Sequence, residues 1–334
     1  MQKGISVNVL TRRIVKGSIA ALSIVVAICL FIYLAFPQTI LTIAASAQRK
    51  SAGMTRDIVR IGDWDIPYFH GGRANGENFP IVFVHGFGDT KHTFVHIGQR
   101  LSNEYEVYAL DLPGFGETAI RPNEDYGPEL YQRTLAGFLD KLQLTRVHLV
   151  GHSMGGAVAA VVAQDDPARV ATLSLFAPAG VNGAEPSELE EIVAAGGENP
   201  LFYETREQFE RLLGMAFNDP PEISSLAMRG LVSRGAQRNE VYREIFADLQ
   251  GQRDQLQMER CVQLLDVPTL VVWGDEDRVV SVSAADRWKE LNPAIEVNII
   301  AGEGHAIVNQ YPGKCAEWLR QHMQGFSHNV VSLE

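Results

Sequence analysis

The chain has 334 residues, 46% of them apolar and 21% charged, a balance that excludes a mostly disordered protein and suits one α/β domain carrying an insertion. Its formal charge is −11, yet residues 1–50 hold Lys3, Arg12, Arg13, Lys16, Arg49 and Lys50 without a single acid, so the remainder is more acidic still. A field of that sign disfavours phosphate backbones and gives no support to nucleic-acid binding.

After a basic segment at 1–17, Ser18 to Phe36 run for nineteen residues without a charge, long enough as a helix to cross about 30 Å of hydrocarbon. The reading is a single-pass membrane anchor; a cleaved signal is the alternative, with Ala45-Ser46-Ala47 as its small-residue site. Lys3, Arg12, Arg13 and Lys16 precede the span and Arg49, Lys50 and Arg56 follow it, a bias toward a cytoplasmic N-terminus with the body on the far side. Residues 37–54 read as a connector. Beyond it, strands are expected at Ile58–Ile61, Pro80–Val84, Val107–Leu110, Val147–Val150, Thr172–Phe176, Thr269–Trp273 and Val297–Ile300, with helical stretches between most of them. Runs such as IVFV and LVVW are continuously apolar and rich in β-branched residues, as in a parallel sheet covered on both faces. The expected fold is therefore α/β, a doubly wound, mostly parallel sheet whose first part covers 55–180 and second part 258–334.

Between them, 181–257 offers no strand pattern, only helical segments broken by Pro186, Gly196-Gly197, Pro200 and Pro220-Pro221, and reads as a helical insertion. Within it, EQFERLLGMAF places Phe209, Leu212, Leu213, Ala216 and Phe217 on one side of a helix, a face suited equally to packing on the main domain or to lining a pocket or membrane. Of the three cysteines, Cys29 lies in the apolar span, and Cys261 and Cys315 belong to no C-x-x-C or Cys/His cluster. They read as small buried hydrophobes, with no disulfide framework and no metal implied.

The chemistry lies in Gly151-His152-Ser153-Met154-Gly155, which follows the strand RVHLV and precedes the helix-like AVAAVVAQ. A serine on a sharp strand-to-helix turn needs neighbours without Cβ atoms, and the turn holds its hydroxyl out into the cleft. A hydroxyl becomes a useful nucleophile only when a base takes its proton. His305, in the loop after EVNII, stands last in the expected order of serine, acid and histidine. His152 and His85 are read as supporting residues, and His322 and His328 as surface ones. A carboxylate must orient the imidazole, and Asp275, Glu276 and Asp277, after TLVVW, are all close enough to compete. The oxyanion needs backbone donors, for which the Met154 amide and, after strand PIVFV, the Phe87 amide are the candidates.

These residues resemble the lipase and esterase branch of the α/β hydrolases, and in particular membrane-anchored monoacylglycerol lipases and related bacterial lipases. The resemblance spans about Thr55 to Gln324 through VHGFG (84–88), DLPGFGET (111–118), GHSMGG (151–156), APAG (177–180), VPTLVVWGDEDRVV (267–280) and GEGH (302–305). It implies Asp277 as the acid, His305 as the base, Phe87 and Met154 as oxyanion amides, and a cap formed by the insertion. It further implies that the span brings the site to lipid. The expected activity is hydrolysis of monoacylglycerols or similar lipid-like esters through an acyl-enzyme on Ser153, with no cofactor and the membrane as partner; nothing in the sequence sets an oligomeric state. Ser153 argues against the aspartate-nucleophile dehalogenases and epoxide hydrolases. The alternatives are a serine-dependent carbon–carbon bond hydrolase, a thioesterase, or a sensor that keeps the scaffold to bind a small molecule.

Overall fold

The computed structural model describes residues 11, 15–19, 21–27, 31, 37–73 and 78–331. The body begins with helix α1 (Pro37–Ser51) and continues β1 (Thr55–Ile61), β2 (Trp64–Gly72), β3 (Ile81–Val84), α2 (Val95–Leu101), β4 (Glu106–Leu110), α3 (Pro128–Lys141), β5 (Val147–His152), α4 (Met154–Asp165) and β6 (Val170–Phe176). Three helices follow, α5 (Glu188–Ala194), α6 (Arg206–Ala216) and α7 (Ser225–Gly251). The chain then returns to the sheet through α8 (Met258–Leu264), β7 (Thr269–Gly274), α9 (Ser283–Leu291), β8 (Glu296–Ile300), α10 (Ile307–Gln310) and α11 (Pro312–Val331). The eight strands form one sheet in the order β1-β2-β4-β3-β5-β6-β7-β8, antiparallel at β1-β2-β4 and parallel from β4 to β8.

The alternation of side chains along each strand divides the core between two faces. Val82 and Val84 of β3, with Leu173, Leu175, Val271 and Trp273, pack under α3, α4, α8 and α9. Ile81 and Phe83 of the same strand, with Val150, Leu270 and Val272, pack under α2 and α11. Both faces are buried, which is why the strands read as unbroken apolar runs. Cys261 and Cys315 are free and buried, and burial pushes both thiols up to about 12.

The structure departs from the sequence reading in four places. Strand β2 was not anticipated, because Asp65, Pro67 and Gly71-Gly72 break the β signal; it forms because it pairs along its length with β1 and, through Tyr68–Gly72, with β4. The supposed connector 37–54 holds the helix α1, laid against α7, with the Gln38 amide donating to Ser233 Oγ at 2.9 Å. Ala45-Ser46-Ala47 lies inside that helix. His322 is half-buried and donates to the Pro268 carbonyl at 3.2 Å, so it is not a plain surface residue; the His328 side chain lies outside the described residues.

No helix among the described residues is long and apolar enough to cross a membrane, and the expected span Ser18–Phe36 lies partly outside them, as does Cys29. Its described parts, 18–19 and 21–27, are helical and present Ile19, Leu22, Ile24, Val25 and Val26 to the surroundings.

Candidate active site

Ser153 sits between the end of β5 and the first residue of α4 at φ 53°, ψ −122°, a backbone conformation that disfavours any residue with a Cβ. Its neighbours over-determine it. The Ser153 amide donates to the Phe176 carbonyl at 2.9 Å, and its own carbonyl accepts from the amides of Gly156, Ala179 and Ala157 at 2.9, 3.1 and 3.2 Å. The flanking glycines are required by close approach: a Cβ on Gly155 would stand 2.4 Å from the carbonyl oxygens of both Val84 and His85, and one on Gly151 would stand 2.5 Å from the Gly155 carbonyl. The turn thus presses α4 onto β3 and leaves Ser153 at the carboxyl ends of the central strands, where open α/β sheets bind ligands.

His305, in the loop after β8, directs Nδ1 at Asp277 Oδ2 at 2.8 Å, and both residues are buried. A carboxylate only accepts, so this bond places the proton on Nδ1 and leaves Nε2 with its lone pair. Asp277 is held in turn: Oδ1 accepts from the amides of Val279 and Val280 at 2.8 and 2.9 Å, and Oδ2 accepts from the Trp273 indole at 3.1 Å. Asp275 and Glu276 are exposed, and neither meets His305. Asp275 is nonetheless more than a loop acid, because its Oδ1 accepts from the Gly302 amide at 2.6 Å and so ties the two loops together.

His152 donates from Nε2 to the carbonyl of His305 at 3.1 Å, and the two rings lie 4.9 Å apart. Burial, followed by the neighbouring His305, pushes the pKa of His152 down to about 3, so this ring stays neutral and acts as a strut between the serine turn and the histidine loop. His85 is wholly buried, donating from Nδ1 to the Gly86 carbonyl at 2.8 Å and accepting the Leu112 amide at Nε2 at 3.0 Å.

Among the described residues the amides of Phe87 and Met154 find no acceptor. Met154 opens α4, whose first turn carries no acid, so its amide belongs to the positive end of a helix. The Phe87 ring packs edge-on against Phe115 at 5.4 Å and lies near Tyr242, Phe246 and Phe202 of the insertion.

The insertion is pinned to the core at several points. Arg238 of α7 donates to the carbonyls of Gly114 and Gly116 at 2.9 and 2.6 Å. The last residue of α6, Ala216, accepts the Ala306 amide at 2.9 Å, and Asn218 donates to the Gly302 carbonyl at 2.9 Å. Helix α6 starts at a capping box of Thr205 and Gln208 and buries Phe209 and Met215, while Leu212, Leu213, Ala216 and Phe217 are half-buried. Trp273 and Arg238 were not singled out as site residues in the sequence, and Ala216 was read only as part of an apolar helix face; of these, Trp273, at the end of a strand beside the acids, carried a local signal.

A sequence profile described as the alpha/beta hydrolase fold matches residues 80–309. The chain belongs to the α/β hydrolases. Within that family its likeness is to lipases and esterases. It is 27% identical over 321 residues to the monoacylglycerol lipase ABHD6 of Bos taurus, a match covering 93% of this chain and 94% of that protein. It is 33% identical over 290 residues to the dihydrolipoyllysine-residue acetyltransferase component of an acetoin cleaving system of Pseudomonas putida, covering 85% of this chain and 72% of that one. The crystal structure of a membrane phospholipase A, a bacterial virulence factor, superposes with a TM-score of 0.83 at 30% identity, covering 94% of this α/β hydrolase and 99% of the other chain.

Proposed function

We propose that this α/β hydrolase cleaves carboxylic esters of lipid-like molecules, monoacylglycerols among them, through an acyl-enzyme on Ser153. The observation that carries the reading is the bond from His305 Nδ1 to Asp277 Oδ2 at 2.8 Å, which frees Nε2 to accept a proton, on a loop that His152 ties to the turn holding Ser153 at φ 53°. In the first half-reaction Ser153 Oγ attacks the ester carbonyl carbon and its proton passes to His305 Nε2. The imidazolium so formed is stabilised by Asp277, which stays ionised. The carbonyl oxygen, now negative, accepts from the free amides of Phe87 and Met154. Collapse expels the alcohol, which takes the proton from His305 Nε2. In the second half, water gives a proton to the same nitrogen as it attacks the acyl carbon, and collapse releases the acid while His305 Nε2 returns that proton to Ser153 Oγ.

The lipid-like substrate is supported by the aromatic surroundings of Phe87 and by the names of the monoacylglycerol lipase and the phospholipase above. We further place the segment Ser18–Phe36 in a membrane as a single-pass anchor with the body on the non-cytoplasmic side; the exposed Ile19, Leu22, Ile24, Val25 and Val26 support the insertion and the basic N-terminus supports the sidedness. A fluorophosphonate probe should label the wild type and not Ser153→Ala. A panel of p-nitrophenyl esters, acylglycerols, acyl thioesters and a carbon–carbon substrate should show preference for oxygen esters. Absence of labelling, or preference outside oxygen esters, overturns the reading. Protease access on sealed vesicles tests the anchor and its side.

A further inference from the structure

The Phe87 amide is half of a peptide plane whose other half is the Gly86 carbonyl. That carbonyl is fixed by the core, accepting from His85 Nδ1 at 2.8 Å and from the Asp89 amide at 3.3 Å. With that oxygen pinned, the rigid plane can still pivot about it, and its Cα end needs a restraint of its own. The Phe87 amide has no acceptor among the described residues, and the next residue, Gly88, takes φ +71°, where it adds little steric restraint of its own. What holds this end is the Phe87 ring, and three of its four aromatic neighbours belong to the insertion: Tyr242 at 5.5 Å, Phe246 at 5.9 Å and Phe202 at 6.4 Å. These contact one another or the same core ring, with Phe202 edge-on to Phe246 at 5.6 Å and Tyr242 5.5 Å from Phe115. Tyr242 and Phe202 are buried, so the cluster is a packed unit and not a surface fringe.

We propose that Tyr242 and Phe246 of α7, together with Phe202, are positioning residues for the oxyanion donor, acting through the Phe87 ring to set the direction of the Phe87 amide. The inference rests on the hydrolase reading above and extends it. A cap that only walled a pocket would govern substrate capture; a cap that grips Phe87 governs the rate of acyl transfer. An amide displaced by a fraction of an ångström still leaves the pocket open to substrate, but it no longer meets the oxygen on which charge develops.

The test uses the full-length protein in detergent with p-nitrophenyl butyrate, comparing Tyr242→Leu, Tyr242→Phe, Phe246→Leu and, as a control, Phe209→Leu, a buried cap residue whose ring lies tilted 4.7 Å from Tyr203 and is not among the rings around Phe87. Loss of one oxyanion donor costs about 100- to 1,000-fold in kcat, so partial misplacement should lower kcat roughly 10- to 100-fold in Tyr242→Leu and Phe246→Leu, with KM within about threefold. Affinity for an alkylboronic acid, whose adduct with Ser153 places an oxygen in the same hole, should fall in parallel. Tyr242→Phe keeps the ring and should stay within about twofold of wild type, while Phe209→Leu should lower Tm without changing kcat. A raised KM at unchanged kcat, unaltered boronate affinity, or an equal loss of kcat in Phe209→Leu overturns the proposal. Should Tyr242→Leu fail to fold, Phe246→Leu, a half-buried site, gives the same comparison. If the wild type itself fails to label with a fluorophosphonate, the hydrolase reading falls and takes this proposal with it; if it labels and turns over while the variants keep kcat, the proposal falls alone.

Discussion

Replacing Asp277 by asparagine tests the orientation of the proposed base with almost no change of shape. The two amides of Val279 and Val280 point at Oδ1 at 2.8 and 2.9 Å, so the oxygen of the new side chain must take that position. Its NH2 group then falls where Oδ2 was, facing His305 Nδ1 at 2.8 Å and the Trp273 indole N–H at 3.1 Å. Two donors now meet the histidine and the indole. The indole retains the Val280 carbonyl at 3.1 Å, whereas the imidazole is satisfied only by moving its proton to Nε2, which removes the lone pair that should accept from serine. The wrong tautomer lowers kcat about 10,000-fold, or roughly 5 kcal/mol of transition-state stabilisation at 1.36 kcal/mol per tenfold. Folding stability should fall by only about 1 to 3 kcal/mol, the cost of a buried donor left without its partner. Steady-state kinetics and a thermal melt measure both. The exposed Asp275→Asn and Glu276→Gln should each keep kcat within about threefold, since neither faces the ring and the asparagine oxygen can still accept from Gly302. A kcat for Asp277→Asn within about tenfold of wild type, or a larger loss in either neighbour, would refute the assignment.

Three further outcomes are expected. His92, His148 and His152 are pushed, chiefly by burial, from the ordinary 6.5 down to about 4, about 3 and about 3. Below pH 6.5 the unfolded chain binds protons at these positions and the folded chain does not, so stability is present above that pH and is lost as pH falls toward the folded values, at up to roughly 1.4 kcal/mol per histidine per pH unit. Tm should therefore drop between pH 7 and pH 5, and a Tm that is unchanged or higher at pH 5 counts against the burial of these rings. Gly155→Ala places a methyl 2.4 Å from two backbone carbonyls and should abolish soluble expression or activity; a variant with wild-type kcat and Tm would contradict the packing of the serine turn. Arg238→Ala removes two bonds from the insertion to the 111–118 loop and should cost about 2 to 4 kcal/mol in chemical denaturation, against the expectation of no change if the insertion sits loosely on the core.

Much of this arrangement could be read before folding because it is written in short range. The serine turn needs a strand, two glycines and a helix in immediate succession, and all lie within GHSMGG and its flanks. The rank of the three acids could not be read that way. Spacing left Asp275, Glu276 and Asp277 equivalent; what separates them is the pair of amides at Val279 and Val280 and an indole four residues earlier, groups whose direction exists only once the loop has folded. Strand β2 was hidden by Pro67 and by the glycines at its end, since its pairing is made by β1 and β4 and not by its own propensity. Helix α1 was likewise hidden, because its partner, α7, lies far along the chain. The contact between Phe87 and Tyr242 is the extreme case: nothing local in either segment announces it.

The backbone of Ser153 carries one further implication. At φ 53°, ψ −122° the residue type favoured by the fold is glycine, and the hydroxyl-bearing side chain stays there at a cost of about 1 to 3 kcal/mol that the surrounding amides offset. Under the proposed mechanism, thermal endurance and turnover therefore pull this position in opposite directions. On that mechanism, a glycine at the head of α4 would be the more stable and the inactive choice.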